Sequence, residues 1–167
     1  VLSWAGYELQ ASGAEPLRRA WAAARAVQQR RQWPAHLEEC VQEPAVQRLR
    51  QIVQDQREIR PVLPLLTSPR PPLQLAALHA LAYRTHWYAG EAEYVLQATG
   101  HSPHEAVRVA TVQALAGVQG VDLLSALTAF LRDPSEEVRR HTIAVLLWQA
   151  ERRWPLIRES IRDILAD

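Results

Sequence analysis

The stretch at 133–147, DPSEEVRRHTIAVLL, has two related segments earlier in the same chain. Residues 102–116 read SPHEAVRVATVQALA, and residues 68–82 read SPRPPLQLAALHALA. Each copy opens on a Ser-Pro or Asp-Pro pair, after which apolar residues recur at the spacing of one helix face. A segment that recurs about every thirty residues and cannot bury its apolar face alone is typical of stacked helical repeats. The sequence therefore predicts an all-α fold, an α-solenoid of stacked antiparallel helix pairs.

Equivalent positions in the three copies indicate which side of each helix is buried. The matched apolar sets are Leu73, Val107 and Val138, then Leu78, Val112 and Ile143, and last Leu81, Leu115 and Leu146. Within the third copy, Val138, Ile143, Val145 and Leu146 form a stripe broad enough to bury one helix face.

The start of each copy suggests how its helix is capped. Ser102 and Asp133 are predicted N-caps, each followed by a proline at the first helical position. Glu105 and Glu136 stand three residues after these caps, which is the capping-box spacing. Pro155 is placed in the same way at the start of a second helix, so the third copy is also predicted to contain a turn.

The repeats suggest a division of the chain. Three repeats are predicted at 68–101, 102–132 and 133–167. Residues 1–67 are less regular, but they contain amphipathic helical patterns, so we interpret them as degenerate repeats of the same solenoid.

The segment DPSEEVRRHTIAVLL resembles the short HEAT-like repeat that also occurs in phycobilin lyases, with the pattern D-P-x-x-x-V-R-x-x-A-x-x-A-L. The matching residues are Asp133, Pro134, Val138, Arg139 and Leu146, whereas His141 stands where the pattern usually has alanine. The copy at 102–115 matches the pattern at Pro103, Val107, Arg108, Ala110, Ala114 and Leu115. The resemblance implies that Arg108, Asp133 and Arg139 belong to a structural ladder between repeats. It specifies architecture and not function, because such repeats serve many proteins.

Composition restricts the functions to consider. All 19 basic residues are arginine, and with 18 acidic residues they give a net charge of +1, which offers no electrostatic reason to expect a nucleic acid or a membrane partner. No apolar run approaches the roughly 18 residues of a membrane span. The single cysteine, Cys40, has no internal partner, so a reducing, cytoplasmic location is expected. Because the sequence contains no Met and so no initiator residue, we expect it to be either a part of a longer protein or a processed form.

Candidate catalytic and metal-binding residues are sparse. His36 and Cys40 lie one helical turn apart, but no third group is indicated that would orient and activate them. His104 and Glu105 form the one His-Glu pair, whereas a di-iron site of the deoxyhypusine hydroxylase kind needs several. We therefore predict no catalytic residue, no metal, no cofactor and no small-molecule substrate. A lyase-type or di-iron enzyme is the least favoured alternative.

An arginine-rich helix suggests one alternative partner. Residues 17–33 contain five arginines and no acidic residue, and two tryptophans lie among them. Arginine and aromatic side chains together can bind a nucleic-acid backbone. The alternative hypothesis is therefore a nucleic-acid-binding solenoid that uses Arg18, Arg19, Arg25, Arg30 and Arg31.

Aromatic residues are grouped between two helices in YRTHWYAGEAEY, residues 83–94. Turns of a solenoid lie at its edge, and exposed Trp, Tyr and Arg are enriched where proteins bind one another. The candidate contact residues are Arg84, His86, Trp87, Tyr88 and Tyr94. The preferred hypothesis is a non-catalytic protein–protein interaction scaffold, a module or subunit of a larger protein or assembly. Its expected partner is another protein or another segment of a larger chain.

Overall fold

The computed structural model shows a series of helices joined by short turns. It describes residues 15–56, 59–82, 84, 86–88, 90–118 and 127–166, with the backbone alone for 55–56 and 152–166. The helices are α1 (Glu15–Gln29), α2 (Pro44–Gln56), α3 (Leu63–Leu66), α4 (Pro71–Leu81), α5 (Glu91–Thr99), α6 (Glu105–Leu115) and α7 (Glu136–Ala166). Two 3₁₀ turns lie at Leu37–Gln42 and Ala129–Arg132. None of the described residues lies in a strand.

Five of these helices form a single row. Helix α1 packs on α2, α2 on α4, α4 on α6, and α6 on α7. The short helix α3 lies beside the row against α4 and α5, and α5 packs against α6. Pairs of helices stacked in this way form an α-solenoid, which confirms the predicted fold class.

A continuous apolar core runs along the row. The second and third matched positions of the first two copies, Leu78, Leu81, Val112 and Leu115, are fully buried. Burying a side chain of this size stabilises the fold by about 1.5–3 kcal/mol. The core extends from Ala23 in α1 to Val138 in α7, so each copy is covered by its neighbours in the row.

The helix starts differ from the predicted caps. Asp133 accepts a hydrogen bond from the Ser135 N–H at 2.8 Å, and it is Ser135 that caps α7, accepting from the Val138 N–H at 3.4 Å. Helix α6 begins only at Glu105, whose carboxylate accepts from the Ser135 hydroxyl at 2.6 Å. The predicted capping roles of Ser102 and Asp133 were therefore wrong, because both helices begin two residues later than predicted, at Glu105 and Glu136. The Ser102 hydroxyl accepts from the His104 N–H at 3.3 Å, ahead of the helix.

The third copy has no turn between two helices. Helix α7 continues from Glu136 to Ala166, and Pro155 lies within it. A proline removes one hydrogen bond from a helix interior and bends the helix, but good helix formers on both sides can continue it. The prediction of a turn before Pro155 was wrong. The division of the chain into repeats with the stated boundaries stays a prediction.

The apolar stripe of the third copy is only partly buried. Val138 is fully buried, but Ile143 is 50% exposed, although its equivalents Leu78 and Val112 are fully buried. The predicted burial of Ile143 was wrong because α7 is the last helix of the row within the described residues.

Candidate functional site

The first polar site joins α6 to the start of α7. Arg108 donates from Nε to Asp133 Oδ2 at 2.8 Å and from Nη2 to Oδ1 at 3.0 Å. Its Nη1 donates to the Ser102 carbonyl at 2.9 Å. The side chains of Arg108 and Asp133 are only 13% and 7% exposed. The arginine therefore connects its own repeat to the next one through a two-pronged, charge-assisted contact.

Ionisation reinforces this contact. The hydrogen bond from Arg108 holds the pKa of Asp133 below its ordinary value, and the Ser135 N–H and the charge of Arg139 act in the same direction. The same bond raises the pKa of Arg108. Both groups are therefore charged at neutral pH, and each stabilises the charge of the other.

The equivalent side chains of the other copies also donate to a backbone carbonyl just before their own helix. Arg139 donates from Nη1 to the Asp133 carbonyl at 2.7 Å, as Arg108 does to the Ser102 carbonyl. Gln74 donates to the Leu66 carbonyl at 3.3 Å. A donor at this position therefore fixes the turn that leads into each repeat helix.

The second site is the loop between α4 and α5, which contains the aromatic group. Arg84 is 4% exposed and forms an ion pair with Glu91 at 3.3 Å. Its guanidinium also lies 5.2 Å from the centre of the Trp87 ring, at a distance typical of a cation–π contact. The indole N–H of Trp87 donates to the Arg84 carbonyl at 3.3 Å. These contacts hold the loop from inside, and Arg84 lies beneath the surface.

Two tyrosines are exposed here, Tyr88 in the loop and Tyr94 in α5. Tyr88 is 68% exposed and Tyr94 is 39% exposed, and His86 beside them is also exposed. The two tyrosines line a shallow cleft of about 530 Å³ together with Ile59 and Leu63. We call His86, Tyr88 and Tyr94 the aromatic patch. It combines apolar rings with polar groups at a concave surface.

Gly117, which follows the end of α6, allows the backbone of the loop at Arg84 to pack closely against it. A Cβ atom added to Gly117 would lie 1.5 Å from the Arg84 carbonyl oxygen. No side chain fits at that distance, so glycine is required for this contact. Gly90, at the end of the loop, has a φ of 83°, a left-handed conformation that favours glycine. Sequence patterns did not indicate Gly117 because its contact partner lies far along the chain.

The arginines of the predicted nucleic-acid surface lie in different surroundings. Arg18 and Arg19 form ion pairs with Glu15 at 3.6 and 3.4 Å. Arg30 forms an ion pair with Glu43 at 2.7 Å. Arg25 and Arg31 are exposed. Carboxylates within the chain therefore compete for three of the five positive charges that this hypothesis assigns to phosphate groups.

Cys40 and Glu105, which belong to the disfavoured catalytic and metal-binding candidates, make contacts with neighbouring groups. Cys40 is buried, and its thiol lies 3.7 Å from the His36 carbonyl oxygen, to which it donates. Burial, followed by the charge of Glu43, raises the pKa of this thiol, so the reactive thiolate is disfavoured. Glu105, which follows His104, bonds to Ser135 instead. Among the described residues, no three His, Cys, Asp or Glu side chains come together as a metal-binding group.

Comparison with known proteins gives the family. A profile of HEAT repeats matches residues 59–148, which is just over half of the chain. The chain belongs to the HEAT repeat family. No curated protein and no solved structure matches it. Within the part of the chain that the structure describes, no helix is both long and apolar enough to cross a membrane.

Proposed function

We propose that this HEAT repeat chain is a non-catalytic protein–protein interaction scaffold, and that its aromatic patch contacts a partner protein. HEAT repeats generally form scaffolds on which other proteins assemble. The observation that carries the proposal is the exposure of Tyr88, at 68%, on a loop that is fixed from inside.

The loop has the properties of a preformed contact surface. The buried Arg84–Glu91 pair and the close contact at Gly117 restrict the backbone before any partner binds. Binding then requires little ordering, which lowers the entropic cost of association. Tyrosine supplies a large apolar ring and a hydrogen-bonding hydroxyl, a combination enriched at the centres of interfaces.

The cleft beside the patch favours a peptide or loop with both apolar and polar groups. Ile59 and Leu63 line the cleft with the two tyrosines, and Arg60 and Glu91 line it as well, so apolar and polar groups lie side by side. Such an arrangement suits a protein segment better than a uniformly charged polymer.

Affinity capture with purified chain as bait tests this proposal. The bait is compared with a Tyr88→Ala/Tyr94→Ala variant, after circular dichroism shows equal helicity. The control variant replaces both Glu93 and Gln97 by alanine. These two side chains are exposed on the same helix as Tyr94. We expect a partner protein to be retained by the wild type and by the control, and lost by the tyrosine variant.

Two results would contradict the proposal. Equal retention by the tyrosine variant would show that the patch is not the contact. Recovery of nucleic acid instead of protein, abolished by Arg25→Ala/Arg31→Ala, would favour the arginine-rich helix as the functional surface.

The redox state of the cysteine bears on where the scaffold works. The only cysteine of the sequence, Cys40, is a buried free thiol, which suits a reducing compartment such as the cytoplasm. We further propose that the chain works as a module or subunit of a larger assembly.

A further inference from the structure

Two apolar side chains of α7 are exposed, although the side chains at the equivalent positions of the preceding copies are buried. Ile143 and Leu147 are 50% and 60% exposed. Their equivalents in α6 and at its end, Val112 and Ala116, are 0% and 2% exposed. The same apolar positions are therefore present in both helices, but only those of α6 are covered by neighbouring groups.

Arg139 shows the same contrast in its polar contacts. Its equivalent Arg108 donates to the Ser102 carbonyl of its own repeat. Arg108 also donates to the carboxylate of Asp133, the first residue of the next repeat. Arg139 makes the first of these bonds, to the carbonyls of Asp133 and Pro134. Among the described residues, it forms no ion pair with a carboxylate. Within the part of the chain whose side chains are described, Arg139 therefore lacks the carboxylate contact that Arg108 makes with Asp133.

We propose that the α7 face, formed by Arg139, Ile143 and Leu147, docks a helical repeat of a partner protein that opens with an aspartate. The partner's aspartate binds the Arg139 guanidinium as Asp133 binds Arg108. Its first helix covers Ile143 and Leu147 as α7 covers α6. The inference adds a second contact surface and rests on the proposed scaffold function.

Charge argues for a different protein and against a second copy of this chain. Asp133, which has the right register, is already held by Arg108. At the other end of the row, the only acidic residue of α1 is Glu15, which already pairs with Arg18 and Arg19. Head-to-tail stacking on α1 of a second copy would therefore offer Arg139 no unpaired carboxylate from that helix.

A peptide of this chain's own residues 127–151 is a suitable probe, because it contains the Asp133 opening and the helix that covers α6. Labelled peptide is titrated with the full chain, and binding is followed by fluorescence anisotropy. We expect saturable binding that weakens about 10-fold in Arg139→Gln, since a charge-assisted hydrogen bond is lost. The Ile143→Glu variant is expected to abolish binding, and Asp133→Asn in the peptide is expected to weaken it about 10-fold, as Arg139→Gln does.

Two controls define the site. Arg140→Gln removes the neighbouring exposed arginine, which pairs with Glu137, and is expected to leave binding unchanged within about twofold. Tyr88→Ala/Tyr94→Ala is expected to bind the probe as the wild type does. This last result separates failure of the aromatic patch from failure of the α7 face.

A second measurement guards against a peptide that does not fold when alone. A duplicate of residues 117–150 is inserted after Ala150, within α7, so that one more copy of the turn after α6 and of the first half of α7 follows the α7 face in the same chain. We expect the Tm to rise by about 5 °C. We also expect Arg139→Gln to lower the Tm of the extended chain more than that of the original chain.

The proposal is overturned if the peptide does not bind and the duplicate gives no rise in Tm. It is also overturned if binding is insensitive to Arg139→Gln. Dimerisation of the chain alone in sedimentation, abolished by Ile143→Glu, would assign the face to a second copy and exclude the partner repeat.

Discussion

At the scale of single residues, the contact between Arg108 and Asp133 determines how two repeats meet. Two parallel hydrogen bonds join the pair, and both side chains are largely shielded from water. Shielding strengthens the attraction, but it also means that either charge would be costly if its partner were removed. A change at this pair therefore affects the stability of the stack.

We expect Arg108→Gln to lower the free energy of unfolding by about 1.5–3 kcal/mol, because the charge of Asp133 loses its partner. Glutamine is the residue that the first copy carries at this position, Gln74, so the change suits the helix. Urea unfolding measures the effect.

Arg140→Gln is the matched control for this change. Arg140→Gln breaks an exposed ion pair with Glu137, one turn earlier in α7. Such exposed pairs contribute about 0–1 kcal/mol to the free energy of unfolding. Equal effects of the two substitutions would contradict the role assigned to the Arg108–Asp133 contact.

His79 in α4 is a residue whose charge the fold opposes. The side chains of Gln47 and Arg50 approach its Nε2 atom at 3.3 and 3.4 Å, so this nitrogen accepts hydrogen bonds and the ring is neutral. Burial, followed by the charge of Arg50, lowers the pKa of His79. The unfolded chain therefore takes up this proton at a higher pH than the folded chain does.

The sign of the pH dependence is set by that difference. The stability contributed by neutral His79 is complete above its ordinary pKa of 6.5 and is lost as the pH falls below it. We expect His79→Gln, which keeps an acceptor but does not titrate, to flatten this loss. Urea midpoints measured above and below the ordinary pKa test this, and an unchanged slope in the variant would contradict it.

At the scale of helices and turns, local patterns and distant contacts contribute different information. The spacing of Leu78, Leu81, Val112 and Leu115 predicted the buried faces of α4 and α6, because helical periodicity is a local property. The caps were not predictable in this way. Asp133 was assigned to its own helix, whereas Arg108, from the previous repeat, holds its carboxylate. Whether Pro155 ends or bends a helix depends equally on context beyond its neighbours.

The turn after α6 gives a prediction at the same scale. Gly117→Ala would place a methyl group against the Arg84 backbone, at a Cβ–oxygen distance of 1.5 Å. Because the backbone on both sides must move, we expect the free energy of unfolding to fall by about 1–3 kcal/mol or more, as it does in overpacked cores. Tryptophan fluorescence is expected to report displacement of Trp87.

Gly90→Asn is the control, since nothing lies within 4 Å of an added Cβ and asparagine tolerates the left-handed backbone. Gly90→Asn should lower the free energy of unfolding less than Gly117→Ala does. If the two substitutions lower it equally, the close approach at Gly117 does not position the aromatic loop.

At the scale of the whole molecule, the repeats predict the stacking but not the use of the surface. The solenoid arises from copies that can bury their apolar faces only against one another. The aromatic group was found from sequence because Tyr88 and Tyr94 lie close together in the chain. The sequence did not indicate that Arg84 is buried beneath them, since this depends on Glu91 and Gly117 as well.

Hydrogen–deuterium exchange of the chain, alone and with its captured partner, tests the scaffold role most directly. If the aromatic patch is the contact, partner binding should protect peptides that cover residues 84–94. Peptides that cover the arginine-rich helix α1 should exchange at unchanged rates. Protection confined to α1, or none over residues 84–94, would contradict the account.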